Sequence, residues 1–117
     1  MFGLNSTHGY REIASGIRIK TIARGERTLM ASFSMEAGSE LPEHAHPYEQ
    51  TGYLVRGRLR LHIGASSREL GSGCSWCIPS GVSHRAEILE DSTAIEVFSP
   101  AHTDYLAYLN PEDVVEE

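Results

Sequence analysis

The chain has 117 residues, 40% hydrophobic and 22% charged, which fits one soluble globular domain over residues 1–117 and is too short for two sizeable cores. The net charge is −6, and Glu112, Asp113, Glu116 and Glu117 carry four of the negative charges, which argues against nucleic acid or an anionic membrane as partner. No apolar run approaches the roughly 20 residues that span a bilayer, and the first ten residues carry no signal-peptide pattern, so the expectation is a cytoplasmic protein whose acidic tail is a solvated end.

In chain order, residues 1–27 hold Ile13, Ile17, Ile19 and Ile22 between Gly16 and Gly25, and this β-branched content predicts short strands. Leu29, Ala31, Phe33 and Met35 alternate with Met30, Ser32, Ser34 and Glu36, the pattern of a half-buried strand ending at an Ala37-Gly38-Ser39 turn. Residues 50–56 predict a strand with Gln50, Gly52 and Leu54 on one face and Tyr53 and Val55 on the other. Gly57 predicts a tight turn, after which Leu59, Leu61 and Ile63 alternate with Arg58, Arg60 and His62. A loop and hairpin with a short strand at 68–70 follow, then a strand at 74–78 and a turn at Pro79-Ser80-Gly81 that presents His84. Residues 84–89 and 93–98 are expected to pair across a turn at Glu90-Asp91-Ser92. Residues 102–110 form a short C-terminal element, helical or not, that offers Tyr105, Leu106 and Leu109 for docking. Many short strands between Gly and Pro turns, without a long helix, predict an all-β sandwich or barrel. Such a barrel has sheet edges to protect, and pairing subunits protects them, so a homodimer is expected.

The chemistry concentrates in two stretches within residues 38–84. In an extended chain His44, His46 and Gln50 share parity, so two imidazoles and a carboxamide point the same way, with His84 the natural fourth member. These are neutral ligands suited to one divalent transition ion (Ni, Mn, Fe, Co, Cu or Zn), and the set does not choose among them. Gly52 leaves space beside the centre, and Glu96 is a lone carboxylate in the apolar run Ala94-Ile95-Glu96-Val97-Phe98, sharing a face with Phe98. Its bland alternative is an ion pair with an arginine at the barrel surface. Arg56, Arg58 and Arg60 share a face and read as a solvated stripe, while His8, His62 and His102, taken singly, read as ordinary surface or satisfied residues. Cys74 and Cys77 spell Cys-Ser-Trp-Cys, yet no helix N-terminus is signalled to stabilise a thiolate, so both are expected to be free thiols filling structure.

The spacings Gly-x5-His-x-His-x3-Gln-x6-Gly from Gly38 and Gly-x5-Pro-x-Gly-x2-His from Gly73 resemble the paired motifs of the cupin superfamily. The resemblance implies a double-stranded β-helix jelly roll, which agrees with the pattern, and a small-molecule ligand. His-Pro-Tyr-Glu-Gln, Ile-Pro-Ser-Gly-Val-Ser-His and Glu-Val-Phe-Ser-Pro further resemble the small cupins of pectin and alginate degradation, which open 4,5-unsaturated monouronates to the linear keto form. That family has three histidines and a glutamine on its metal, an acid and a Phe on the last strand, and a basic residue shortly after. The resemblance therefore implies metal ligation by His44, His46, Gln50 and His84, proton transfer by Glu96, and contact with an anionic substrate by Phe98, His102 and Tyr48. Two positions depart: Glu96 stands where the family has Asp, and His102 where it has Arg. A metal-dependent dioxygenase and a non-catalytic binding cupin are the alternatives, because this fold carries many chemistries.

Overall fold

The computed structural model describes residues 1–116, and its frame is two long strands, β6 (Glu49–Ile63) and β9 (His84–Ser99), paired antiparallel along their lengths. Before them come β1 (Phe2–Gly3), β2 (Arg11–Ala14), β3 (Ile17–Arg24), β4 (Leu29–Met35) and β5 (Glu40–His44). Between them lie β7 (Ser66–Gly71) and β8 (Ser75–Ile78), and after them a one-turn helix α1 (Thr103–Leu106), a 3-10 turn (Pro111–Asp113) and β10 (Val114–Val115).

Each long strand serves two sheets. The C-terminal half of β9 pairs with β4, which continues through β3 to β2, while the N-terminal half of β6 takes β8 on its other side. The N-terminal half of β9 pairs with β5, and the C-terminal half of β6 with β7. The two halves face one another as a jelly roll, with Ile17, Ile19, Leu29, Ala31, Phe33, Leu54, Ala94 and Phe98 of one packed against Leu59, Leu61, Ala86 and Ile88 of the other. The alternation expected for residues 29–36 places Leu29, Ala31, Phe33 and Met35 inside, as the pattern predicts.

Two expected turns are absent. Gly57 is a bend within β6, not a turn, and residues 90–92 continue β9 without a hairpin. The two departures have one cause. At Gly57, φ is +105°, and a Cβ would collide with Ser92 Oγ and the Asp91 carbonyl. The paired strands therefore bend together there, and the Ser92 hydroxyl accepts from the Arg58 N–H and donates to the Glu90 carbonyl across the irregular register.

The acidic tail is a solvated end only in part: Glu112 and Glu116 are exposed, whereas Asp113 is held against the fold. Lys20, only 3% exposed, donates from Nζ to the Ser6 carbonyl at 2.9 Å, Ser6 Oγ at 3.2 Å and Asp113 Oδ2 at 3.1 Å. Glu116 pairs with Arg24, and β10 pairs with β1. Glu117 lies outside the described residues. The C-terminal element is anchored to β3, with Thr21 donating to the Tyr105 carbonyl at 2.5 Å from Oγ1 and to the Tyr108 carbonyl at 3.2 Å from its N–H. Tyr105 and Tyr108 pack on the core, whereas Leu106 is 41% exposed and does not dock. No helix among the described residues is long and apolar enough to cross a membrane.

Candidate metal centre

His44 ends β5 directly opposite His84 at the start of β9. The chain then leaves strand geometry at residues 45–48, and His46 projects from this bend before β6 begins. His44, His46 and Gln50 therefore do converge, but through a bend and a strand pairing, not through the alternation of one continuous strand. Candidate ligand nitrogens of His44, His46 and His84 all lie within 4.8 Å of one another.

The hydrogen bonds around them orient the rings. His44 Nδ1–H donates to the Pro42 carbonyl at 2.8 Å and His84 Nδ1–H to the Val82 carbonyl at 2.9 Å. A carbonyl can only accept, so both rings carry the proton on Nδ1 and keep an Nε2 lone pair. Burial holds the His84 pKa below its ordinary value despite the Val82 bond, and His44 and His46 push it the same way as burial, so the ring is neutral, as a ligand must be. Three buried ring nitrogens, His84 Nε2, His46 Nδ1 and His102 Nδ1, have no hydrogen-bond partner among the described residues. An orphaned buried nitrogen carries an uncompensated desolvation cost, which an ion bound at His84 Nε2 would relieve there.

Gln50 and Glu96 complete the centre. Gln50 Nε2 donates to Glu96 Oε2, and Gln50 Oε1 faces His46 Nε2 at 2.9 Å. Atoms this close would be held by one ion in place of their contact. Glu96 Oε1 accepts from the Trp76 indole N–H at 2.6 Å. Gly52 makes this possible: a Cβ there would run into both Glu96 Oε1 and the Trp76 indole. The space that Gly52 opens is thus filled by the indole. Glu96 is 6% exposed and meets no arginine, which removes the surface ion-pair reading. Burial pushes its pKa up to about 8 against the lowering effect of the Trp76 and Gln50 bonds. A cavity of about 30 Å³ adjoins Gln50, Trp76, His84 and Glu96, with room for water and not for a sugar.

Residues 31–99, more than half of the chain, match the cupin domain family (Cupin_2). The chain is a cupin. It is 28% identical over 69 residues to the uncharacterized protein SCO3923 of Streptomyces coelicolor, a match covering 58% of this chain and 66% of that protein, just under two thirds of its length. Among solved structures it is similar to KdgF from Halomonas sp., with a TM-score of 0.83 and 28% identity over 89% of this chain and 98% of that one. It also shares its fold with an RmlC-like cupin from Shewanella frigidimarina, at a TM-score of 0.83 and 24% identity over 89% and 94% of the two chains. Oxalate decarboxylase from Bacillus subtilis, at a TM-score of 0.74 and 22% identity over 85% and 29%, shares the fold alone.

In this cupin His102 stands next to the histidine cluster, 5.7 Å from His46 and 5.2 Å from Phe98 between ring centroids. It is sandwiched between Tyr48 at 4.2 Å and Tyr105 at 3.8 Å, nearly parallel to the latter. Burial, then His46, hold its pKa below the ordinary value, so His102 is a neutral stacked ring and supplies no fixed cation. Burial also pushes the Tyr105 phenol up to about 12. Phe98 is fully buried beneath these rings. Arg58 and Arg60 reach Glu69 on the outer face, His62 pairs with Glu87, and Cys74 and Cys77 are free thiols. Sequence reasoning missed Trp76. Its signal was the pairing of Gly52 with Trp76 and Glu96 on neighbouring strands, which cannot be read before the register is known.

Proposed function

We propose that this cupin is a metal-dependent enzyme that opens the ring of a small unsaturated sugar acid. The observation that carries the reading is the enclosed chain Gln50–Glu96–Trp76, which sets a carboxyl with a pKa of about 8 beside the three converging imidazoles of His44, His46 and His84. The likeness to KdgF and the motif resemblance to uronate-linearising cupins support it. His44, His46, Gln50 and His84 would hold one divalent ion, which when bound supplies Lewis acidity to a substrate oxygen.

The residues of the chain do the rest. The His44 and His84 rings, locked by their carbonyl bonds, fix where a ligand oxygen can sit. Glu96 moves the proton: the anomeric hydroxyl loses one, the bond from the anomeric carbon to the ring oxygen breaks, and the carbon next to the enol takes one up. This is an isomerisation and needs no co-reactant. A carboxyl that titrates near neutrality suits both halves of the transfer. Phe98, fully buried, and the stacked rings of Tyr48, His102 and Tyr105 close the centre on the side of His46. A homodimer belongs to this reading, supported by the outward-facing Met30 and Tyr53, which are 37% and 50% exposed on neighbouring parts of the β4–β9–β6 face. Sedimentation tests it, and a monomer would overturn it.

The test of function is the loss of unsaturated-uronate absorbance with wild type and Glu96→Gln at equal metal loading. The variant fills the same space and cannot exchange the proton, so turnover should fall by about 10²–10⁴-fold with metal binding kept. Equal rates would remove Glu96 from the mechanism. No wild-type turnover on any uronate, with O₂ uptake in the Fe or Mn form, would favour a dioxygenase; ligand-induced stabilisation without turnover would favour a binding protein.

A further inference from the structure

The sugar-acid reading needs a cation for the substrate carboxylate, and His102, 6% exposed and covered on both faces by Tyr48 and Tyr105, is closed to a carboxylate. Most arginines are engaged: Arg18, Arg24, Arg58, Arg60 and Arg85 are in ion pairs, and Arg56 donates to Thr93. Arg68 has no carboxylate partner among the described residues. On β7 it stands directly opposite Leu61 of β6, as Leu70 stands opposite Leu59. Residues opposed in an antiparallel pair point to the same side, so Arg68 shares the concave, core-facing side of the sheet and not the outer stripe of Arg58 and Arg60.

There it lines a groove of about 390 Å³, the size of a small-molecule site. The more buried Leu61, Ile63 and Trp76 form its floor, and the exposed Ser66, Ser75 and Arg68 its rim. The groove shares Leu61 and Trp76 with the small cavity beside Gln50, His84 and Glu96, and Ile63 is paired in register with His84. Leu61 and Trp76 therefore stand between the groove and that cavity, which is itself too small for a sugar.

We propose that this groove is a sugar-acid subsite in which Arg68 binds the carboxylate and Trp76 the apolar face of the ring. The assignment rests on the sugar-acid reading for its ligand class, but its test does not depend on turnover. An arginine fork matches a carboxylate bidentately, the serines supply donors for hydroxyls, and Trp76, once displaced by the ring, opens the way to Glu96. Trp76 is the only tryptophan in the chain, so its fluorescence reports the groove directly.

The experiment is titration of galacturonate, and of galactose as its uncharged counterpart, into wild type and Arg68→Gln, followed by Trp76 emission. Arg68 is exposed, so the substitution leaves the fold intact. Wild type should show saturable binding of galacturonate, weakened about 10-fold or more in Arg68→Gln, with galactose bound no better by wild type than by the variant. Arg68→Lys should recover part of the loss. Uronate binding without turnover of the unsaturated form would break the proposed function and leave the subsite standing. No saturable response in wild type, equal galacturonate affinity in Arg68→Gln, or galactose bound as tightly as galacturonate would each overturn the subsite.

Discussion

Two clusters of buried polar groups hold this cupin at different places, and they are built on opposite terms. Around Lys20, all three ammonium protons find acceptors on Ser6 and Asp113, and Asp113 also accepts from Ser6 and Asn110. Around His84, the hydrogen bonds orient the rings and leave His84 Nε2 and His46 Nδ1 with nothing to bind. A satisfied buried cluster stabilises a fold and has no capacity left over. An unsatisfied one costs stability and is retained where something outside the chain completes it. The comparison separates structure from function without reference to any relative.

The largest effect expected from it is on stability. Lys20→Met leaves the Asp113 carboxylate without its cation and the Ser6 carbonyl without its donor, and should lower Tm by several degrees. His84→Ala in metal-free protein should cost less, because it also deletes an unmade hydrogen bond. Thermal unfolding of both variants checks the order, and a larger loss from His84→Ala would break the comparison.

The next effect sharpens the second cluster. Trp76→Phe keeps an aromatic ring and removes the donor that fixes Glu96, freeing the Gln50 amide to turn its carbonyl away from His46. Such supporting contacts are worth about 10–100-fold in metal affinity. Cobalt titration followed by its visible absorption measures this without tryptophan; unchanged affinity would show that Gln50 is held by other means.

The smallest effect concerns pH at the first cluster. The Ser6 hydroxyl, then Lys20, hold the Asp113 carboxyl below its ordinary range. A depressed folded-state pKa contributes stability fully above the unfolded value of about 3.9 and loses it as pH falls through the folded one. Protection of the Leu4 amide, whose N–H donates to the Asp113 carbonyl, should therefore fall relative to its intrinsic exchange rate below about pH 4 in wild type. Asp113→Asn should flatten that dependence, and an identical pH profile would exclude the carboxylate as its source.

The comparison also explains what could be read from residue order. Alternation showed which way Phe33, Gln50, Glu96 and Phe98 face, and the motif spacing brought His84 to His44 and His46. It could not show that β6 and β9 run unbroken past Gly57 and Ser92, because alternation reports faces and not partners. The same limit hid the Trp76–Glu96 bond through Gly52, the inward side of Arg68, and the docking of Asp113 on Lys20, separated by 93 positions in the chain. Each depends on strands or segments remote in sequence being brought side by side.

The central claim is that the unpartnered imidazoles are a metal centre. Calorimetric titration of metal-free wild type and His84→Ala with a single divalent ion, cobalt, tests it most directly. The account predicts one ion bound per wild-type chain and none at matching affinity in His84→Ala, which remains folded. No binding by wild type, or equal binding by His84→Ala, would contradict it.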